Sequence, residues 1–288
     1  MSEVSFVAPR TVLAALKEAH SVDLCAYTLA PRGSVAVALE AAADGGADVH
    51  VTLEAFADRD RTYALRREAH ATAAALEAHG VRVRLGLPDG GMVHLKAAVI
   101  DGTAYLDDRN WTAGGDTIVA DAQPADVAVV RDAIGGRTSA TATLATEKDA
   151  ALLLEAAAVR CGAGDRVDVE SESFGASAVS ASLRARAAAG AHVRLLVNGN
   201  VAFAPASGRE RAVLRSLAAA GVEVRTTPST EKLCVAGDRG WVGSANPTFD
   251  RAPTTDWGLA LSDPAMLAPL EATFERTWER AHMFLHNL

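Results

Sequence analysis

The sequence predicts an α/β protein built from two tandem repeats, each a mixed β-sheet flanked by helices. Three observations carry that prediction. Short segments rich in β-branched residues alternate with amphipathic helical ones. Helical segments stop at glycine, at Gly45-Gly46, Gly80, Gly190 and Gly221. The order of elements in residues 1–136 then recurs in residues 137–288.

Taken in order, residues 10–20 place Val12, Leu13, Ala15, Leu16 and Ala19 at helical spacing, and residues 22–30, VDLCAYTLA, have the composition of a strand. A second helix is expected over 34–43, a second strand over 47–55, a third helix over 66–79 and a third strand over 81–87. Residues 92–112, MVHLKAAVIDGTAYLDDRNWT, read as a hairpin. Strand alternation puts His94 and Lys96 on one face and Leu95, Ala97 and Val99 on the other. Asp101-Gly102 is a favoured two-residue turn, so the returning strand ends with Asn110 near the same edge.

The second half follows the same plan. Helices are expected over 147–160, 179–189 and 209–220, with strands over 167–175, 191–199 and 222–227 and a hairpin over 231–248. Lys96 and Lys232 are 136 residues apart (232 − 96), and so are Asn110 and Asn246 (246 − 110). Asp263-Pro264 opens a last helix with Met266, Leu267, Leu270, Phe274 and Trp278 as its apolar stripe. Residues 131–146, rich in Gly, Ser, Thr and Ala, read as the linker between halves.

Composition narrows the function. Of 288 residues 49% are hydrophobic and 22% charged, which suits a buried core. The net charge of -8 gives no footprint for wrapping nucleic acid. Cys25, Cys161 and Cys234 are few, scattered and odd in number, so buried reduced thiols are expected rather than a disulfide framework or a zinc site. No segment reads as a secretion signal or a membrane span, which implies a soluble, cytoplasmic chain.

His94, Lys96, Asp101 and Asn110 form an HxK(x)4D...N pattern, followed by Trp111 and Thr112. This pattern resembles the motif of the phospholipase D superfamily, and the tandem repeat is what that resemblance implies. In that family two halves pack about a pseudo-twofold axis and each gives a His, Lys and Asn set to one site. A histidine attacks phosphorus to form a phosphohistidine, its partner protonates the leaving alcohol, and lysines and asparagines hold the non-bridging oxygens without a cofactor or metal. The resemblance thus implies His94 as nucleophile and Lys96, Asn110, Lys232, Ser244 and Asn246 as a phosphate cradle.

The second motif departs from the pattern. Thr230-Glu231-Lys232 stands where a second His-x-Lys belongs, and Gly237 takes the place of the Asp. In the first half Asp107-Asp108 precede the Asn where the family has Gly-Ser, and carboxylates beside a phosphate site would repel substrate unless they point away. Glu170 and Glu172 alternate on one face of the strand over 167–175, and Glu172, which aligns with Tyr27, is the candidate replacement acid. The family also implies a carboxylate that orients the histidine, for which Asp126 is the candidate, with Asp256 as its orphaned counterpart.

The expected protein is a metal-independent phosphodiesterase or phosphatidyltransferase, a monomer with an internal pseudo-dimer. Its acidity tilts the substrate towards phospholipid and away from nucleic acid, with loops at 88–91 and 205–208 selecting it. The alternative is a catalytically silent module that binds a phosphorylated ligand or a protein partner. A homodimeric nuclease ranks third, because the repeat already supplies a partner half.

Overall fold

The computed structural model describes residues 3–54, 63–87, 92–111, 117–248 and 254–284. Thr112 and the loop at 88–91 lie outside the described residues. The chain forms two compact units, Met1–Lys148 with Ala252–Trp257, and Asp149–Arg251 with Gly258–Leu288.

The first unit contains β1 (Val4–Val7), α1 (Pro9–Glu18), β2 (Ser21–Ala26), α2 (Ser34–Asp44), β3 (Asp48–Leu53), α3 (Ala64–Ala78), β4 (Arg82–Leu85), β5 (Met92–Val93), β6 (Ala97–Ile100), β7 (Thr103–Asp107), β8 (Ile118–Asp121), α4 (Pro124–Ile134) and β9 (Leu144–Glu147). Its sheet runs β1-β8-β7-β6-β2-β3-β4. Strands β2, β3 and β4 are parallel, and the other pairings are antiparallel. Helices α2 and α3 make the crossovers that parallel strands require. Leu16, Leu24, Leu39, Leu53 and Leu76 are buried between helices and sheet, each contributing about 1.5–3 kcal/mol of burial.

The second half of the chain repeats this frame with α5 (Lys148–Cys161), β10 (Arg166–Ser171), α6 (Ala178–Ala188), β11 (His192–Asn198), α7 (Gly199–Ala202), α8 (Gly208–Ala219), β12 (Glu223–Thr227), β13 (Leu233–Ala236), β14 (Arg239–Gly243), β15 (Thr254–Leu261), α9 (Pro264–Arg280) and β16 (His282–Met283), the start of β15, up to Trp257, belonging to the first unit. The order β14-β13-β10-β11-β12 matches β7-β6-β2-β3-β4 in the first unit. Gly80 and Gly221 end equivalent helices with φ of 82° and 94°, a backbone state that costs other residues a steric clash.

Two expectations change. The linker is shorter than residues 131–146, because α4 runs to Ile134 and β9 begins at Leu144. Pro124 at the first turn and Gly135 at the end outweigh the strand-like run of valines in α4. Cys25 and Cys234 are buried, and burial pushes the Cys25 thiol up to about 12, but Cys161 is exposed. No described helix is long and apolar enough to cross a membrane.

Candidate functional site

The hairpin forms as its turn dictates: β6 and β7 pair antiparallel around Asp101-Gly102, with Ile100 opposite Thr103. Both turn residues have positive φ, 46° and 86°, the geometry that suits a two-residue hairpin. His94 and Lys96, however, are not in a continuous strand. They lie in the three-residue connection between β5 and β6.

That connection is where the catalytic candidates gather. β5 pairs in parallel with the start of β15, Met92 opposite Thr254 and Val93 opposite Thr255, so the next step sets Asp256 beside His94. His94 Nδ1 is 2.7 Å from Asp256 Oδ1, and Thr254 Oγ1 donates to Asp256 Oδ2 at 3.1 Å. The Asp256 side chain is only 3% exposed against 25% for His94, so the carboxylate is fixed behind a ring that still reaches solvent. Tyr27 packs edge-on against the imidazole at 5.3 Å. Lys96 Nζ donates to the His94 carbonyl at 2.7 Å and sits 5.6 Å from the centre of the Tyr27 ring.

Glu54, which the sequence did not single out, secures the same segment. It is buried at the end of β3, and its Oε2 accepts from the backbone N–H of Val93 at 2.7 Å. Asn198 ends the equivalent strand β11 and ties down the corresponding loop, donating to the carbonyls of Pro228 and Ser229 at 3.1 and 3.0 Å. Element equivalence was the signal that could have found both.

Asp107 and Asp108 prove to be scaffold. Asp107 is fully buried and accepts from the backbone N–H of Arg109 at 3.2 Å and from that of Trp111. Its own carbonyl receives Trp257 Nε1 at 2.8 Å. Asp108 accepts from Thr117 N at 3.0 Å and lies 3.5 Å from Arg109 Nε. Both carboxylates are thus engaged with nearby donors, and the turn they organise presents Asn110, whose Oδ1 is buried with no hydrogen-bond partner among the described residues.

Asp101 sits at the far end of the hairpin from His94 and is also structural. Burial works against its charge, but the backbone N–H groups of Ser21 and His20, at 2.8 and 3.0 Å, hold its carboxyl below the usual range. In the second half Gly237 has φ of 58°, and the neighbouring Asp238 takes the anchoring part, accepting from Ala163 N at 2.9 Å.

Asp126, the expected orienter, lies in the first turn of α4 and accepts from Thr141 Oγ1 at 2.6 Å. Asp256 holds His94 instead. The reason is a shift in repeat register: β7 with β8 pairs Ala104 with Asp121, whereas β14 with β15 pairs Gly240 with Leu261. Asp121 therefore matches Leu261, an offset of 140 (261 − 121), and Asp256 matches Asp116, which lies outside the described residues. The Pro-Ala pairs 124–125 and 264–265 keep that offset in the sequence.

The second half gathers its own set. Lys232 is buried and its Nζ donates to the Thr230 carbonyl at 2.9 Å, the same two-residues-back contact that Lys96 makes. Glu172 Oε2 is 3.4 Å from Lys232 Nζ and 3.5 Å from Asn246 Nδ2. Asn246 Oδ1 accepts from Ser171 Oγ and Ser173 N, each at 3.2 Å. Ser244, Glu170 and Glu231 are buried. Glu172, the candidate replacement acid, thus lies against both Lys232 and Asn246.

A family model described as "Cardiolipin synthase, PLD-like domain" matches residues 12–131 and 161–278. Phosphatidylserine synthase of Haemophilus influenzae is similar in structure, with a TM-score of 0.66 at 12% identity over 97% of this chain and 86% of that one. Polyphosphate kinase of Porphyromonas gingivalis gives a TM-score of 0.67 at 19% identity over 94% of this chain, which spans 49% of the kinase. No curated protein matches the chain.

Proposed function

Since the chain belongs to the family of phospholipase D-like domains, we propose that it is a phosphodiester hydrolase or transferase whose nucleophile is His94. The observation that carries this reading is the 2.7 Å contact between His94 Nδ1 and the buried Asp256 carboxylate. It fixes the tautomer with the proton on Nδ1 and directs the Nε2 lone pair at substrate. Nε2 forms a bond to phosphorus as the bond from phosphorus to the leaving alcohol oxygen breaks, and the alkoxide leaves with a proton taken from an acid or from water. Water or a second alcohol then attacks the phosphohistidine, gives up its proton, and releases the imidazole. Lys96 and Asn110 are the donors we assign to phosphate oxygens in the first half, and Lys232, Ser244 and Asn246 are the equivalent donors of the second half. Asp256 holds the ring throughout.

Thr230 supplies no acid where the family pattern has a histidine. Lack of a positioned acid costs about 10² to 10⁴ in rate for leaving groups that need a proton, so activated esters are the substrates expected to turn over readily. The acidic chain and the lipid-synthesising relatives favour a phosphatidyl ester over a polynucleotide. The ion pair between Glu172 and Lys232 favours the second reading, a silent binding module.

Hydrolysis of an aryl phosphodiester in excess EDTA separates the two. The wild-type protein should turn over and show a phospho-adduct by intact mass after acid-free quenching. His94→Ala should lose both, and Asp256→Asn should retain the fold while losing about 10² to 10⁴ of the rate. A folded wild-type protein with neither turnover nor adduct would refute the enzyme and leave the binding module.

A further inference from the structure

In the C-terminal half, a carboxylate oxygen of the protein stands where an oxyanion would be held. Glu172 Oε2 receives both Lys232 Nζ, at 3.4 Å, and Asn246 Nδ2, at 3.5 Å. The direction of the Asn246 amide is fixed from behind. The backbone N–H of Ser173 can only donate, so the atom facing it at 3.2 Å is the amide oxygen, and the NH2 turns towards Glu172. Lys232 is likewise anchored, by the Thr230 carbonyl at 2.9 Å. Two donors held from behind and converging on one anionic oxygen make a preorganised oxyanion seat.

The matching position in the other half carries an uncharged residue. β2 begins at Ser21 and β10 at Arg166, so the register offset is 145 (166 − 21) and Glu172 corresponds to Tyr27. There the lysine meets an uncharged ring, Lys96 Nζ lying 5.6 Å from its centre. Exposure also differs within the pair: the Glu172 side chain is 36% exposed and that of Lys232 only 4%. The carboxylate thus borders water, while the ammonium is enclosed and anchored.

We propose that Glu172 is an internal competitor for this seat: it occupies Lys232 and Asn246, and a phosphate or phosphate ester binds there only when the carboxylate is displaced. This rests on the reading of Lys232 and Asn246 as phosphate donors. A ligand that needs a minor, unoccupied state binds with its affinity reduced by the fraction of that state, so removing the competitor raises affinity without adding a contact.

The test is binding of inorganic phosphate at fixed ionic strength, by calorimetry, to the wild-type protein, Glu172→Ala, Lys232→Ala and the double variant. Glu172→Ala should bind about tenfold more tightly than wild type, and the double variant should lose the gain. Equal affinity in Glu172→Ala and wild type, with Lys232→Ala weaker than both, would overturn the competitor while leaving the cradle reading intact. A gain that persists in the double variant would overturn it too, because removal of a negative charge would then act from a distance. If phosphate binds none of the four, or binds all four alike, both the competitor and the cradle reading fall.

Discussion

Replacing Asp121 by Asn should make the protein more stable at pH 8 and leave its stability almost unchanged at pH 4. Asp121 is fully buried in β8, and burial, followed by the neighbouring Asp126 carboxylate, pushes its carboxyl from 3.8 up to about 6. The folded value lies above the unfolded one, so the native state keeps a proton that the unfolded chain gives up. Below pH 4 both states are protonated and there is no cost. Between pH 4 and 6 the native state loses ground as pH rises, and above 6 the full cost is reached, at most about 3 kcal/mol. Asparagine keeps the acceptor for Gln123 N, now at 2.8 Å from Asp121 Oδ1, and offers an N–H to Asp126 Oδ2, which is buried without a hydrogen-bond partner among the described residues. Urea unfolding followed by tryptophan fluorescence, repeated from pH 4 to 8, should show the variant gaining about 1–3 kcal/mol over wild type above pH 6. A difference that stays constant across that range, or that grows as pH falls, would refute the reasoning.

Arg194→Met should cost about 3–5 kcal/mol in the same assay, because the buried guanidinium binds Asp168 through Nε at 2.7 Å and Nη2 at 3.0 Å and also pairs with Glu275. Its charge also lies 4.8 Å from the centres of the Phe274 and Trp278 rings; a loss under about 1 kcal/mol would show that the network contributes little. Glu54→Ala should lower turnover of an aryl phosphodiester at least about tenfold by releasing the Val93 N–H next to His94. Glu54→Gln, which keeps an acceptor oxygen, should restore most of kcat, and equal loss in both variants would mean that the charge and not the positioning bond matters.

The elements were legible where local chemistry and tertiary context agree. Apolar spacing and glycine stops placed α1, α2, α3, α6 and α8 within a few residues, and Asp101-Gly102 placed the hairpin. His94 and Lys96 could be found because the motif is local. The partner of His94 could not be found that way: Asp256 lies 162 residues away, and what brings it in is the two-residue parallel pairing of β5 with β15. The single offset of 136 hid this, since the repeats differ by 145 at the first strand and by 140 at the last. Asp107 and Asp108 misled for a related reason. A carboxylate near a motif reads as charge in the sequence, whereas here the backbone N–H groups of the following turn and Arg109 engage it.

The two halves keep the same lysine in the same posture and differ in what surrounds it. Lys96 and Lys232 each bond the carbonyl two residues back, a contact that fixes the ammonium whatever side chain that residue carries. The backbone position therefore survives replacement of His94's counterpart by Thr230, and so does the positive charge. A buried ammonium with no anion nearby is costly, and loss of the imidazole does nothing to lower that cost when phosphate is absent. Glu172 does. An aromatic ring in the same register, as at Tyr27, gives weaker compensation, about 0.5–2 kcal/mol, and sets no negative charge of its own against the ammonium. On this account the carboxylate stabilises the resting C-terminal half at the expense of its affinity for phosphate, and the aromatic ring does the reverse. That exchange predicts that Glu172→Tyr, which copies the N-terminal half, should bind phosphate more tightly than wild type and unfold at lower urea. A variant improved in both respects would show that Glu172 and Lys232 are not traded against substrate at all.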